Sequence, residues 1–230
     1  MSLEIRGPLT GPFRWSIVVP ETRTAPLDEL LDGAEEPIDG AGDVQLWIRD
    51  ARSADDGVAR RHGFEPYRDL WQLRCELPVE RSSVRTRGFA PADLDALVEV
   101  NNRAFHWHPE QGGITADEIR STMTEPWFDP DGLRLHHVED RLAGFCWTKV
   151  HPDHLPPLGE IYVIAVDPDF HGRGLGVGMT RAGLDWLAAR GLDRGMLYVE
   201  SDNEAANATY DRIGFLHHHT DRAYRRPAGR

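Results

Sequence analysis

The densest chemical signal in this 230-residue chain is the run His171-Gly172-Arg173-Gly174-Leu175-Gly176-Val177-Gly178. It follows a β-branched stretch, Glu160 to Val166, and opens a stretch with helical periodicity. Glycines lacking Cβ let backbone N–H groups converge on a ligand, and a helix N-terminus adds positive partial charge. The combination suits an anion such as a pyrophosphate. It also suits a plain, tight strand-to-helix turn. The dinucleotide fingerprint G-x-G-x-x-G is not met, because the spacing here is Arg-Gly-Leu-Gly-Val-Gly. Histidines raise a second possibility, metal binding. His217, His218 and His219 are consecutive, and His151 and His154 flank a Pro-Asp pair. On a strand only His217 and His219 share a face, and no cysteine or carboxylate at ligand spacing completes a tetrahedral set. These histidines read as solvated edges, and no metal is expected. Cys146 lies in an apolar strand and reads as core.

The elements that must hold the glycine run come from periodicity and punctuation. Pro91 and Asp93 open a helix with apolar Leu94, Leu97, Val98 and Phe105. A polar loop from His106 to Gly113 follows, and Thr115 caps a second helix bearing Ile119 and Met123. Strands are expected at 84–87, 133–138, 142–150, 160–166, 196–200 and 216–225, and helices at 176–189 and 204–213. The order β-α-α-β-β-β-α-β-α-β alternates only in its second half. That predicts an α/β (α+β) arrangement, a mixed central sheet with helices on both faces. Upstream, strands are expected at 14–19, 44–48 and 70–77, with short helices at 26–31 and 53–62.

The strand, Val166-Asp167-Pro168, the glycine run and its helix resemble the coenzyme-binding motif of the Gcn5-related N-acetyltransferases. That motif is written Gln/Arg-x-x-Gly-x-Gly/Ala; here it reads His171-x-x-Gly174-x-Gly176. The first position departs, so a side-chain role there does not transfer, while a backbone N–H does. Asn203-Glu204-Ala205-Ala206-Asn207-Ala208, with Tyr210 and Ile213-Gly214-Phe215, resembles the family's next motif. The resemblance covers about residues 84–226. It implies acetyl-CoA as co-substrate, held by Ile164, Ala165 and Val166, by His171, Gly172, Arg173, Gly174, Leu175, Gly176 and Val177, and by Asn203 to Ala208. Acetyl transfer to an amine needs a proton acceptor, oxyanion stabilisation and a proton for the departing thiolate. The resemblance implies Glu160 as the base and Tyr210 as the acid; by themselves they read as a solvated strand end and a packed aromatic. Five further strings resemble a tandem-domain branch of the family. They are 101–105, 108–113, 127–132, 147–152 and 197–203. This branch acetylates the cysteinyl amine of a cysteine–glucosamine–inositol conjugate. It implies substrate contacts at Glu110, Lys149, Glu160 and Tyr198. Another small amine, a peptide N-terminus, or acyl-CoA binding without turnover are the rival readings.

A shift of 151 residues brings two segments into register without a gap. Leu46-Trp47-Ile48 falls on Leu197-Tyr198-Val199, Ala54 on Ala205, Arg61 on Arg212, and Gly63-Phe64 on Gly214-Phe215. Residues 1–79 are therefore expected to be a truncated, non-catalytic half-copy of the unit at 80–230. The formal net charge of −12 disfavours a nucleic-acid partner, which needs the opposite sign. No stretch of roughly 18 apolar residues offers a membrane span. Two cysteines, Cys75 and Cys146, cannot build a disulfide framework. The expectation is a cytoplasmic monomer or homodimer acting on a small molecule.

Overall fold

A computed structural model describes residues 3–9, 11–35, 42–106 and 112–228. In chain order the elements are β1 (Glu4–Arg6), β2 (Trp15–Val19), α1 (Leu27–Glu35), β3 (Val44–Ile48), α2 (Ser53–Arg61) and β4 (Glu65–Glu76). Next come α3 (Leu94–Ala104), α4 (Ala116–Thr122), β5 (Leu133–Val138), β6 (Arg141–His151) and β7 (Leu158–Val166). They are followed by α5 (Leu175–Ala189), β8 (Arg194–Glu200), α6 (Glu204–Ile213) and β9 (Leu216–Arg226). Contacts divide the chain into two compact units. One comprises residues 1–72, 199–204 and 217–230; the other comprises 73–198 and 205–216. The division thus departs from a boundary at 79/80, because β9 groups with the first unit.

In the first unit β2 and β3 run parallel, β1 lies antiparallel to β2, and β9 lies antiparallel to β3. The alternation in β3 buries Val44, Leu46 and Ile48, which pack with Leu27 and Leu31 of α1, Ala59 of α2, Phe64 and Tyr224. The helix ends at Gly63 and Gly214 have the same local geometry. Gly63 N–H donates to Arg60 O at 3.0 Å and Phe64 N–H to Ala59 O at 2.9 Å. Gly214 N–H donates to Asp211 O at 3.0 Å and Phe215 N–H to Tyr210 O at 3.1 Å. Both glycines end their helices in the left-handed region, at φ 77° and 101°.

In the second unit β5, β6 and β7 are antiparallel neighbours, and β7 runs parallel to β8. One face is covered by α3 and α4, whose Leu97, Val100 and Ile119 pack on Leu133, Leu135, Phe145 and Trp147. The other face carries α5, where Gly183 leaves no room for a Cβ against Cys146 and Ile161. Helices on both faces of a mixed sheet match the expected class. Thr115 caps α4 as expected: its hydroxyl accepts from Glu118 N–H at 3.2 Å, and the Glu118 carboxylate accepts from Thr115 N–H at 2.8 Å. The strand expected at 84–87 reduces to one bridge, Arg87 to Leu135. Among the described residues no helix is long and apolar enough to cross a membrane.

Candidate active site

The site is organised by a defect in β7. Its β6 edge is paired from Leu158 to Val166, but the register shifts so that Trp147 faces Val163 and Thr148 faces Ile161. Tyr162 is the extra residue of a β-bulge. The bulge breaks the alternation. Tyr162 meets Trp127 and Trp147 edge to face, on the α3/α4 face, and Val163 packs into that same cluster. On its other edge β7 pairs with β8 only at Gly159, Glu160 and Ile161, opposite Gly195, Met196 and Leu197. Beyond Ile161 the two strands part, and a seam opens alongside Val163, Ile164, Ala165 and Val166. Free strand edges accept an extended chain by backbone pairing, so the geometry suits the role the resemblance implies for 164–166.

The glycine run lies at the far end of β7. Gly172 and Gly174 adopt φ of 76° and 74°, and Gly174 is the residue before the first turn of α5. The first helical bond runs from Gly178 N–H to Gly174 O at 3.2 Å, so the N–H groups of Leu175, Gly176 and Val177 have no carbonyl within the helix to meet. Nothing lies within 4 Å of the Cβ positions of Gly172 and Gly174, so the turn has an open surface. His171 differs from its expected backbone role. Its N–H donates to Pro168 O at 3.2 Å, and its ring bonds Val166 O at 3.0 Å. Its polar groups tie the turn to the end of β7, and among the described residues the unbonded backbone N–H groups of the turn are those at 172–177. The base of the turn is pinned by charge. Arg103 reaches Asp167 at 3.2 Å and Asp169 at 2.8 Å, and Arg141 reaches Asp169 at 2.7 Å.

Glu160, Lys149 and Tyr198 meet around the mouth of the seam. Lys149 is the cross-strand neighbour of Glu160, and Met196 is its neighbour on β8. Tyr198, two residues beyond Met196, therefore shares the Glu160 face and sits just past the last β7–β8 pair. Glu160 is buried and bonds the His151 ring, Nε2 to Oε2, at 2.6 Å. Lys149 extends its ammonium over the rings of Trp127 and Tyr162, at 4.8 and 5.6 Å. Burial, with help from Glu160 and Glu125, raises the Tyr162 phenol above its usual range. On the same face a cavity of about 200 Å³ is lined by Leu97, Asn101, Ile119, Thr122, Trp147 and Tyr162. This aromatic group and His151 were absent from the sequence-derived site. The alternation of Trp147, Lys149 and His151 along β6 was the available signal.

Tyr210 lies on α6, buried, with its ring edge-on to Phe215 at 5.7 Å. Burial, and secondarily the Cys146 thiol, pushes its hydroxyl far above the ordinary tyrosine range, so it stays protonated. Cys146 faces α5, and α6 approaches α5 at Thr209 and Gly176. Tyr210 and the Glu160 carboxylate therefore lie on opposite faces of the sheet. Burial drives the thiols of Cys75 and Cys146 up to about 12, which makes both inert as nucleophiles. Ala205 to Ala208 form the start of α6 in the second unit, whereas Asn203 and Glu204 group with the first. Glu110 lies outside the described residues. Among the described residues no group of three His, Cys, Asp or Glu could hold a metal.

The sequence pattern of the Acetyltransferase (GNAT) family matches residues 94–215. The mycothiol acetyltransferase of Nocardia farcinica is 45% identical over 196 residues, 80% of this chain and 65% of that protein. Those of Catenulispora acidiphila and Actinosynnema mirum are 40% and 43% identical over 227 and 233 residues. The matches cover 93% and 96% of this chain and 72% and 77% of those proteins. The chain thus spans between 65% and 77% of the length of these relatives. Among solved structures, a GCN5-related N-acetyltransferase from Sphaerobacter thermophilus has a TM-score of 0.74 at 23% identity, over 93% of this chain and 73% of its own. A tandem GNAT protein from the clavulanic acid biosynthesis pathway has a TM-score of 0.68 at 14% identity, over 99% and 79%. Both show the same fold.

Proposed function

The chain belongs to the acetyltransferase (GNAT) family, and on that premise we propose that it transfers acetyl from acetyl-CoA to the cysteinyl amine of a cysteine–glucosamine–inositol conjugate, forming mycothiol. The observation that carries the chemistry is the seam opened by the Tyr162 bulge, with the Glu160 carboxylate at its mouth and the glycine turn at its far end. The choice of acceptor rests on the identity to mycothiol acetyltransferases along most of the chain.

In this reading the N–H groups of residues 172–177 hold the pyrophosphate and the β7 edge at 164–166 pairs with the pantetheine arm. Glu160 takes a proton from the ammonium, freeing the nitrogen lone pair to bond the acetyl carbon. A backbone N–H at the seam faces the carbonyl oxygen as it gains charge. The carbon–sulfur bond breaks, the Tyr210 hydroxyl donates to the departing sulfur from the opposite face, and the second proton lost by the nitrogen as the amide forms returns through water to the Tyr210 oxygen. Lys149, Tyr198 and the aromatic group around Trp127 offer polar and stacking contacts suited to a hydroxyl-rich acceptor. Residues 1–79 supply a non-catalytic repeat of the unit's back half. The residue that falls on Tyr210 is Ala59, which has no proton to give.

Coenzyme release measured against a panel tests the acceptor. The cysteinyl glucosaminyl inositol conjugate should give the highest kcat/KM, above cysteine, glucosamine and a peptide N-terminus. Equal rates with simple amines would move the assignment to a general amine acetyltransferase, and no release with any of them would favour a binding module.

A further inference from the structure

One partner of the Glu160 carboxylate has no part in the reaction as described. His151 ends β6, and its ring nitrogen lies 2.6 Å from Glu160 Oε2. The Glu160 side chain is 11% exposed and the His151 side chain 23%. Among the described residues no other group hydrogen-bonds this carboxylate. A buried carboxylate needs a hydrogen-bond donor, and a ring N–H pointed at one of its oxygens fixes that oxygen and leaves the other free.

The other charged and titratable groups nearby are disposed differently. On β6, Lys149 lies opposite Glu160 in the register, but its ammonium rests on Trp127 and Tyr162. On β7, the Tyr162 phenol is neutral, and Glu125 faces it from the segment after α4. On β8 the neighbour is apolar Met196. In the turn between β6 and β7, exposed Asp153 follows, and the His154 ring meets the His151 ring edge-on at 5.6 Å. The imidazole of His151 is therefore both the hydrogen-bond donor to the carboxylate and its link toward solvent.

We propose that His151 is a positioning residue for the base: its Nε2–H holds Glu160 Oε2 so that Oε1 meets the amine. The inference rests on the reading of Glu160 as the base. In the transfer step the ammonium proton passes to Oε1, the nitrogen keeps the electron pair, and His151 Nε2 retains its hydrogen throughout.

The test compares pH profiles of kcat and kcat/KM for the full chain, His151→Ala, His151→Gln and Glu160→Gln, with acetyl-CoA affinity measured by calorimetry. His151→Ala should lower kcat about tenfold to hundredfold, the scale of a misplaced reacting group, with acetyl-CoA affinity unchanged. His151→Gln keeps an N–H donor and should recover most of that loss. Wild-type kcat in His151→Ala, with Glu160→Gln slow, would overturn this inference and leave the base reading intact. A wild-type rate in Glu160→Gln at every pH would overturn both. Should His151→Ala fail to fold, a kcat in His151→Gln no higher than that of Glu160→Gln overturns the inference.

Discussion

Replacing Gly174 by alanine isolates what the turn contributes. Gly174 has φ 74°, and nothing lies within 4 Å of the position a Cβ would take. The cost is therefore backbone strain and not collision, about 1–2 kcal/mol for an L-residue in the left-handed region. If the free protein keeps the turn, the strain appears as lost stability, about 2–4 °C in Tm per kcal/mol for a chain of this size. If the turn relaxes, the strain reappears on binding as a Kd for acetyl-CoA weaker by about five- to thirtyfold. The two losses should sum to the same 1–2 kcal/mol. Gly176→Ala is the internal control. It lies in the first turn of α5, has no positive φ, and its nearest neighbour is the Thr209 methyl at 4.0 Å. The motif this segment resembles accepts alanine there, so neither Tm nor Kd should fall. Thermal melts paired with calorimetric titration measure both quantities. Unchanged Tm and Kd in Gly174→Ala, or an equal loss in Gly176→Ala, would refute the assignment of this turn as a strained, preformed anion site.

Tyr210→Phe removes only the hydroxyl and should lower kcat about a hundredfold or more, with acetyl-CoA affinity unchanged, because the contact matters as the thiolate departs; a calorimetric and steady-state comparison reads both. Glu160→Gln should lose most at low pH, where the amine is protonated, and the loss should narrow as pH rises and free amine appears; rates across the pH range show the trend. Asp93 offers a stability test. Hydrogen bonds from Arg87 at 2.6 and 2.7 Å, and from Ala90 N–H at 2.8 Å, hold its carboxyl below the ordinary 3.8. A depressed acid contributes stability that is full above its unfolded value and is lost as pH falls through the folded one. Asp93→Asn should be less stable than the parent at pH 7, and denaturant midpoints should converge below pH 3.8.

Local signals located the elements well where side chains decide them. The alternation of Val44 to Ile48 and of Leu133 to Val138 returned strands with those bounds, and Thr115 marked the start of α4. Elements decided by a distant partner were less legible. β4 begins at Glu65, five residues before its apolar run, and includes Pro66, which argues against a strand on sequence grounds. β1 is three residues long with polar ends. The site shows the same division. The glycine turn, Glu160 and Tyr210 carry recognisable neighbours in sequence. The bulge at Tyr162 does not, because one unpaired residue is visible only once β6 lies beside β7. His151 seemed a solvated edge for the same reason: its partner is nine residues away across a hairpin. Likewise, whether β9 groups with residues near it in sequence or with β3 is a matter of register, and no local pattern encodes it.

The seam can be tested in one measurement, a crystal structure of the chain with acetyl-CoA. The account predicts one molecule per chain, its pyrophosphate on the N–H groups of residues 172–177, its pantetheine paired with the β7 edge at 164–166, and its thioester beyond Ile161 between Glu160 and Tyr210. A coenzyme bound elsewhere, with β7 and β8 closed together past Ile161, would contradict it.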